Sequence, residues 1–469
     1  MYERYSLRSC LFLLSPALIA TPDLLHAAPL VTCISQPNSN VGCEFYAVSL
    51  PNPIPDQATV HFGVAMLNPG AASVDVTVTG GGLGSPDMFA VPAGSSVTTQ
   101  LPWVSGISQS SITSKVVGGA YHITVSGPVS ALQLNAFEPA SGSNDASLLL
   151  PVQSAGTAYR AVVWPAWNPG TAYPGSIAIV ATSASTTVQV AAPGTIQPGA
   201  GLNASGGTVS LDQGDVLLIS SALAQGSDLS GTLITSDHPV IVWGAHAGAQ
   251  VPLTTSYADH LEETLPPISA LDNDYFILRP GDATGSDTGS KYYVKLVGVV
   301  DGTLLTTDPS VGGLPASLAA GQAYSFEATA SFHLQASQPV AVGLFMEGST
   351  ATGFTAGDPA QSIPIPTRQG RTSIDFIAPT SLAPIHAQLV APTGAAISVD
   401  STAVTGWTAI GTSGYSQTRV ALSGTDGHHA SGDKPFSLSV HAYPTVGYTS
   451  YWYPGSLGIG DDIFHSGFE

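Results

Sequence analysis

The sequence predicts an all-β protein made of four tandem repeats, each folded as a small antiparallel β-sandwich. Charged residues make up only 9% of the 469-residue chain, 51 glycines and 36 prolines interrupt it, and one phrase recurs four times. Average proteins carry about 25% charged residues, many of them on exposed helices, so their scarcity here argues against helices. Short strands joined by turns fit the composition.

The recurring phrase is a small polar turn that runs into a proline and an apolar stretch. Its prolines are Pro128, Pro239, Pro339 and Pro435, which are 111, 100 and 96 residues apart. Such a period indicates a duplicated small domain, because solenoid repeats span only about 20–50 residues. We expect each proline to begin an apolar strand, where its missing N–H costs least.

Earlier in each repeat, alternation of apolar and polar residues predicts half-buried antiparallel strands, as in Val74–Val78 and Thr186–Val190. A glycine then precedes a further strand, and its recurrence predicts a backbone position with positive φ. These glycines are Gly94, Gly214, Gly321 and Gly414.

A second phrase, in which an aspartate is followed by a proline six or seven positions later, follows three of the repeats. Its copies start at Asp145, Asp259 and Asp358, and we interpret them as connectors between repeats. The repeats are then residues 44–140, 141–250, 251–350 and 351–455, followed by a tail at 456–469 that we expect to be flexible. Sandwiches would bury the apolar faces of two sheets on each other. The alternative is a closed, propeller-like ring of the repeats.

The N-terminus is typical of an export signal at residues 1–27. Arg4 and Arg8 precede an apolar run that ends near Ala20, and small residues follow at Ala27 and Ala28. We find no later segment apolar enough to span a membrane. Removal of the signal leaves two cysteines, Cys33 and Cys43, which predict a disulfide that closes the segment 28–43. A pair of free thiols is the alternative.

Composition and motifs exclude several classes of function. The formal net charge is −20, and no basic cluster offsets it, so nucleic-acid binding is not expected. The G-x-S-x-G and H-E-x-x-H signatures of hydrolases are absent from the sequence. We therefore expect no cofactor, no metal and no catalytic residue.

Two groups of residues are candidates for binding. His246, Asp259, His260 and Glu262 carry imidazole and carboxylate groups on an expected loop, and a metal-dependent site there is the alternative to a solvated turn. The second group is Tyr451, Trp452 and Tyr453 near the chain end, which could form an exposed aromatic platform for sugar or protein. Packing against the last repeat is the other interpretation.

Several ordered phrases resemble the IgGFc-binding domain family, named for the N-terminal region of a mucus protein that binds immunoglobulin Fc. They include residues 42–48, 143–151, 229–240 and 258–267 and the ending Ser-Tyr-Trp-Tyr-Pro-Gly at 450–455. Where the family often carries cysteines around the middle loop, this chain has Gly248 and Ala258. The closing residues 462–469 look like a tail found on exported proteobacterial proteins. The resemblance thus implies a bacterial member, for which immunoglobulin is not the expected natural ligand.

From these observations we expect an exported, non-catalytic binding or adhesion protein, extracellular or associated with the cell surface. It would present loops on a repeated β scaffold to an extracellular protein or glycan. The alternatives are an extracellular hydrolase or metal-dependent enzyme with its site near Asp259, His260 and Glu262, and a structural component of the cell surface.

Overall fold

The computed structural model describes Met1 and residues 40–138, 142–282, 284–286, 289–353, 356–380, 384–443 and 449–458. The described strands all belong to one compact unit. The expected export signal and Cys33 lie outside the described residues. So do residues 459–469, whereas Ser456 and Leu457 are buried; a flexible tail therefore stays a prediction.

Four curled, half-barrel-shaped antiparallel sheets make up the described chain, and this confirms the predicted all-β, sandwich-like repeats. The first contains β1 (Gly42–Ala47), β2 (Phe62–Leu67), β3 (Val74–Gly80), β4 (Asp87–Val91), β5 (Ser96–Leu101), β7 (Tyr121–Asn135) and β8 (Asp145–Leu149). The second contains β6 (Ser114–Val116), β9 (Gly156–Arg160), β10 (Gly175–Ala181), β11 (Thr186–Ala191), β12 (Gly206–Leu211), β13 (Val216–Ser220), β14 (Leu233–Ala249) and β15 (Asp259–Leu265).

The third sheet contains β16 (Asp272–Ile277), β17 (Tyr292–Gly298), β18 (Thr303–Asp308), β19 (Ser317–Leu318), β20 (Ala323–Ala328), β21 (Phe332–Met346) and β22 (Ala360–Ser362). The fourth contains β23 (Arg371–Ile377), β24 (Ile385–Pro392), β25 (Ile397–Val399), β26 (Thr402–Ala403), β27 (Thr408–Ala409), β28 (Tyr415–Leu422), β29 (Gly427–Ala442) and β30 (Tyr451–Pro454). Helices are limited to single turns: α1 (Ser105–Ser108), α2 (Ser349–Thr352) and the 3₁₀ turns Val152–Ser154, Ile268–Ala270 and Thr367–Gln369.

One long strand organises each sheet: β7, β14, β21 and β29. In the first sheet the order is β4-β3-β7-β2-β5, with β1 and β8 also paired to β7, and the other sheets repeat this plan. The proline of each phrase lies inside the long strand, so the prediction that it begins a strand is wrong. Pro239, for example, falls where the pairing of β14 with β9 jumps from Thr235 to Val240. The irregularity bends the strand and leaves no ladder partner for the missing N–H to disrupt.

The second phrase is not a connector. Its copies form β8, β15 and β22, and each pairs with the long strand of the preceding repeat. The expected boundaries at residues 140, 250 and 350 fall before these strands, although each strand completes the sheet before it. The ending at Tyr451–Pro454 forms β30 in the same position of the fourth sheet, and so it is the fourth copy of the phrase.

The four sheets close into a ring because each contributes side chains to the core of a neighbour. Trp243 of the second sheet packs in the core of the first, Phe345 of the third packs in that of the second, and Trp452 of the fourth packs in that of the third. Leu134 of the first sheet packs in the core of the fourth. The units are sandwich-like, and their arrangement is the closed ring that was the alternative.

The recurring glycine is confirmed as a position of positive φ. Gly94, Gly214, Gly321 and Gly414 have φ of 61°, 79°, 76° and 79°. Each ends a tight turn before the last strand of its sheet. Within the described part of the chain, no helix is long and apolar enough to cross a membrane.

We expect Gly214→Ala to destabilise the protein by about 1 kcal/mol, because an L residue at φ of 79° is strained even though a Cβ would meet nothing within 4 Å. Gly312→Ala is the matched control, since its Cβ is equally free and its φ is not in the left-handed region. Urea unfolding of both variants measures the difference. Equal stabilities would contradict the assignment.

Candidate functional site

The residues expected on a binding loop lie on buried strands. His246 is on β14, and Asp259, His260 and Glu262 are on β15; all four are 0% exposed. The loop prediction is wrong because β15 pairs along β14 in the middle of the ring, where Leu261 lies opposite His246. Their polar groups face protein partners instead of solvent.

The expected aromatic platform is also buried. Tyr451, Trp452 and Tyr453 are each 1% exposed and lie on β30. The Tyr453 hydroxyl donates to the Ile377 carbonyl at 2.8 Å, and the Tyr451 hydroxyl donates to the Pro379 carbonyl at 3.1 Å. These rings are therefore part of the core between sheets and not an exposed platform.

We call β8, β15, β22 and β30 the hub strands, because they meet at the centre of the ring. β8 contacts β15 and β30, and β22 contacts the same two strands. Each hub strand pairs at one equivalent place with its long strand, seven residues after the proline of that strand. The hub residues paired there are Asp145, Leu261, Ala360 and Tyr451.

The Asp145 carboxylate joins all four hub strands. It accepts hydrogen bonds from the backbone N–H groups of the next residue on every strand: Ala146 at 2.9 Å, Glu262 at 3.1 Å, Gln361 at 2.9 Å and Trp452 at 3.4 Å. Asp145 is 0% exposed. Burial raises the pKa of Asp145 well above its ordinary value, whereas the N–H donors lower it.

Further polar groups surround this carboxylate. Glu262 Oε2 accepts from Gln133 Nε2 at 2.9 Å and from Asn135 Nδ2 at 3.3 Å, and it lies 3.2 Å from His260 Nε2. Burial raises the pKa of Glu262 well above its ordinary value and lowers that of His260 to about 3. Both shifts favour the neutral forms, so this pair is not an ion pair at pH 7.

His246 is held as a neutral ring by two backbone groups. Its Nδ1 accepts from the Gly248 N–H at 3.1 Å, and its Nε2 lies 3.0 Å from the Pro165 carbonyl, to which it donates. Burial lowers the pKa of His246 to about 3. The ring therefore acts as a structural link and is not available as a base.

Asp259 and Asp358 form a second acidic pair at the hub. Asp259 Oδ1 accepts from the N–H groups of Asn144 at 2.6 Å and His260 at 2.8 Å. Burial raises the pKa of Asp358 to about 8, and burial and the charge of Asp358 raise the pKa of Asp259. Asp259 Oδ2 and Asp358 Oδ1 are buried and have no hydrogen-bond partner among the described residues.

The hub can bind protons, but it gives a substrate no access. Its carboxyl and imidazole groups are fully buried between four strands. In the described part of the chain, no three His, Cys, Asp or Glu side chains are arranged to hold a metal ion. The hub residues named here therefore hold the ring together.

An open cleft lies instead between the third and fourth sheets. Its outer part is lined by Phe276, Tyr415, Val390 and Phe436, and its inner part ends at Trp452. The inner part encloses about 350 Å³ including its mouth, which lies in the range of small-ligand sites. Phe276 and Tyr415, one from each sheet, have ring centroids 4.4 Å apart.

Polar groups accompany the aromatic ones in this cleft. Gln388 is 0% exposed; its Nε2 donates to the Arg279 carbonyl, whereas its Oε1 has no partner among the described residues. Ser437 and Ser439 also line the inner part. A few acceptors and hydroxyls beside aromatic faces give such a site both affinity and orientation.

The sequence prediction missed the cleft but named Trp452 at its inner end. Phe276 and Tyr415 are 139 positions apart, and no motif links them. A signal was present in the repeat alignment: Tyr415 directly follows Gly414, and the glycine turns lie where one sheet meets the next. Cys43 is on β1, but Cys33 is outside the described residues, so the Cys33–Cys43 disulfide stays a prediction.

We expect Asp145→Asn to destabilise the protein by on the order of 3 kcal/mol, because an amide NH₂ group cannot accept from the N–H groups that face it. Asp75→Asn is the control, since the Asp75 side chain is exposed. Urea unfolding measures both. A loss for Asp145→Asn as small as that of the control would contradict a joining role.

We expect Asp358→Asn to make stability less dependent on pH. The folded pKa of about 8 exceeds the unfolded value of about 3.9, so between these values the folded state holds a proton that the unfolded state has lost. Wild-type stability therefore falls as pH rises through this window, by up to about 1 kcal/mol per pH unit. Melting temperatures from pH 5 to 8 should separate the variant increasingly from wild type, and a constant offset would refute this.

Comparison with known proteins places these features in a family. A family model described as IgGFc binding protein matches residues 145–442, from the first hub strand to the end of β29. No curated protein matches the chain. Among solved structures, a membrane anchored protein from Corynebacterium diphtheriae aligns over 85% of this chain and 95% of its own at 9% identity, but with a TM-score of 0.11, so it carries no argument. The matched model covers more than half of the sequence, and the chain therefore belongs to the IgGFc-binding protein family.

Proposed function

We propose that the protein is an exported, non-catalytic binding protein that acts outside the cell or at its surface. It holds a protein or glycan partner at the cleft between the third and fourth repeats. Family membership supports a binding role, and the closed ring supplies a stiff scaffold for it. The observation that carries the choice of site is the aromatic lining formed by Phe276 and Tyr415 on an open cleft.

The lining favours a ligand with a flat apolar face and polar edges. A sugar ring or an aromatic side chain would stack against Tyr415 and present a donor to Gln388 Oε1. The family name adds immunoglobulin Fc as one partner to test. The hydrolase alternative depended on Asp259, His260 and Glu262, and their complete burial removes its support.

We expect Tyr415→Ala to lower partner affinity at least tenfold, because it removes one aromatic wall of the cleft. The probes are a glycan array and an immunoglobulin G Fc fragment, each applied to the mature wild-type chain and the variant. Tyr173→Ala is the control: Tyr173 is also half-buried and stacks on Trp167 with centroids 5.2 Å apart, away from the cleft.

The two variants separate loss of the cleft from loss of fold. Equal melting temperatures and reduced binding of Tyr415→Ala alone would support the proposal. Binding that is unchanged in Tyr415→Ala, or no bound glycan and no bound Fc for the wild-type chain, would contradict it.

A further inference from the structure

The last strand of a sheet is covered by an added strand in two of the four repeats. In the second sheet, β6 pairs with the outer edge of β13, although β6 comes from the first repeat. In the fourth sheet, β27 pairs with the outer edge of β28. Two unrelated stretches of chain, 102–120 and 404–414, thus supply a strand to the same kind of edge.

The two added strands cover equivalent positions. Val116 of β6 pairs with Val216, and Thr408 of β27 pairs with Gln417. Val216 and Gln417 occupy the same place, since each lies opposite the residue whose other neighbour is two positions after the proline of the long strand. In the third sheet this place is held by Ala323, the first residue of β20.

The outer edge of β20 has no such cover in the described part of the chain, where β17 is its sole strand partner. The chain gives a reason. Only residues 319–322 precede β20, against 404–414 before β28. The link 221–232 of the second repeat also forms no strand like β6, and its Asp228 is paired with Lys295 at 2.7 Å.

The unpaired backbone groups of β20 can be assigned. The Gly298 N–H donates to the Gln322 carbonyl, so Gln322 faces β17. Backbone direction alternates along an antiparallel strand, so Ala323, Ser325 and Glu327 direct their N–H and C=O groups outward. The side chains of Ser325 and Glu327 are exposed. An exposed row of this kind is a template for strand addition.

We propose that β20 accepts an extended segment of a partner protein as an added antiparallel strand opposite Ala323–Glu327. The covered edges state its chemistry: an extended peptide without proline at the paired positions, with a basic residue near the acidic edge. Lys115 of β6 provides the precedent, because its Nζ lies 2.9 Å from Asp215 as it pairs along β13. At β20 the exposed carboxylate is Glu327, which Lys291 contacts at 3.2 Å.

This site is separate from the cleft, since none of the residues 323–328 lines it. The inference therefore does not depend on the proposed function. The known alternative to a partner protein is a second copy of this chain, joined edge to edge through β20. Sedimentation or light scattering of the pure protein distinguishes this case.

The test uses the full mature chain and a synthetic peptide of residues 111–119, which contains the β6 sequence. In hydrogen exchange, we expect the amides of Ser325 and Glu327 to exchange at least tenfold faster than those of Val216 and Leu218, which β6 covers. At millimolar concentration the peptide should slow exchange of Ser325 and Glu327 at least threefold.

Ser325→Pro should abolish this protection, because proline removes an outward N–H and obstructs the incoming strand while breaking no bond to β17. Ser325→Ala, which keeps the N–H, should leave protection intact. Slow exchange of β20 in the free chain, absence of protection by the peptide, or equal protection in Ser325→Pro would overturn the proposal. A dimer that Ser325→Pro dissociates would also overturn it, in favour of a second copy as the occupant.

Discussion

The ring depends on one buried carboxylate that four strands share. Asp145 lies where the hub strands meet, and its two oxygens accept one backbone N–H from each of them. Such N–H groups cannot pair with one another, because all four are donors, so an acceptor at the centre is required. One repeat supplies that acceptor for all four, and this makes the closed ring a property of the whole chain.

The cost of this arrangement is a centre crowded with acids. Glu262, Glu263, Asp259 and Asp358 share the hub with Asp145, and burial raises the pKa of each. Neutral carboxyls and paired amides make the centre tolerable, and they leave no group accessible for catalysis. Binding must then use the periphery, where the repeats differ from one another.

The junctions between sheets illustrate that difference. At equivalent positions, four residues after the proline of the long strand, Lys295 faces Gly343 and Gln388 faces Ser439. The long Lys295 side chain fills the junction of the second and third sheets and bonds Asp228 and Ser230. The shorter Gln388 leaves a cleft at the next junction. A repeated scaffold thus carries a single open site because its copies have diverged.

The strand-rich fold, the number of repeats, the positive-φ glycines and the family could be read from the sequence, because periodic patterns and turn residues are local properties of a chain. The proline bend, the hub and the cleft could not. A charged phrase such as Asp259–Glu263 has the composition of a solvated loop, and only pairing with β14 and contact with three distant strands makes it core. Which strand covers an edge, and which junction stays open, is decided by segments far apart in sequence, since their contacts exist only once the ring has closed.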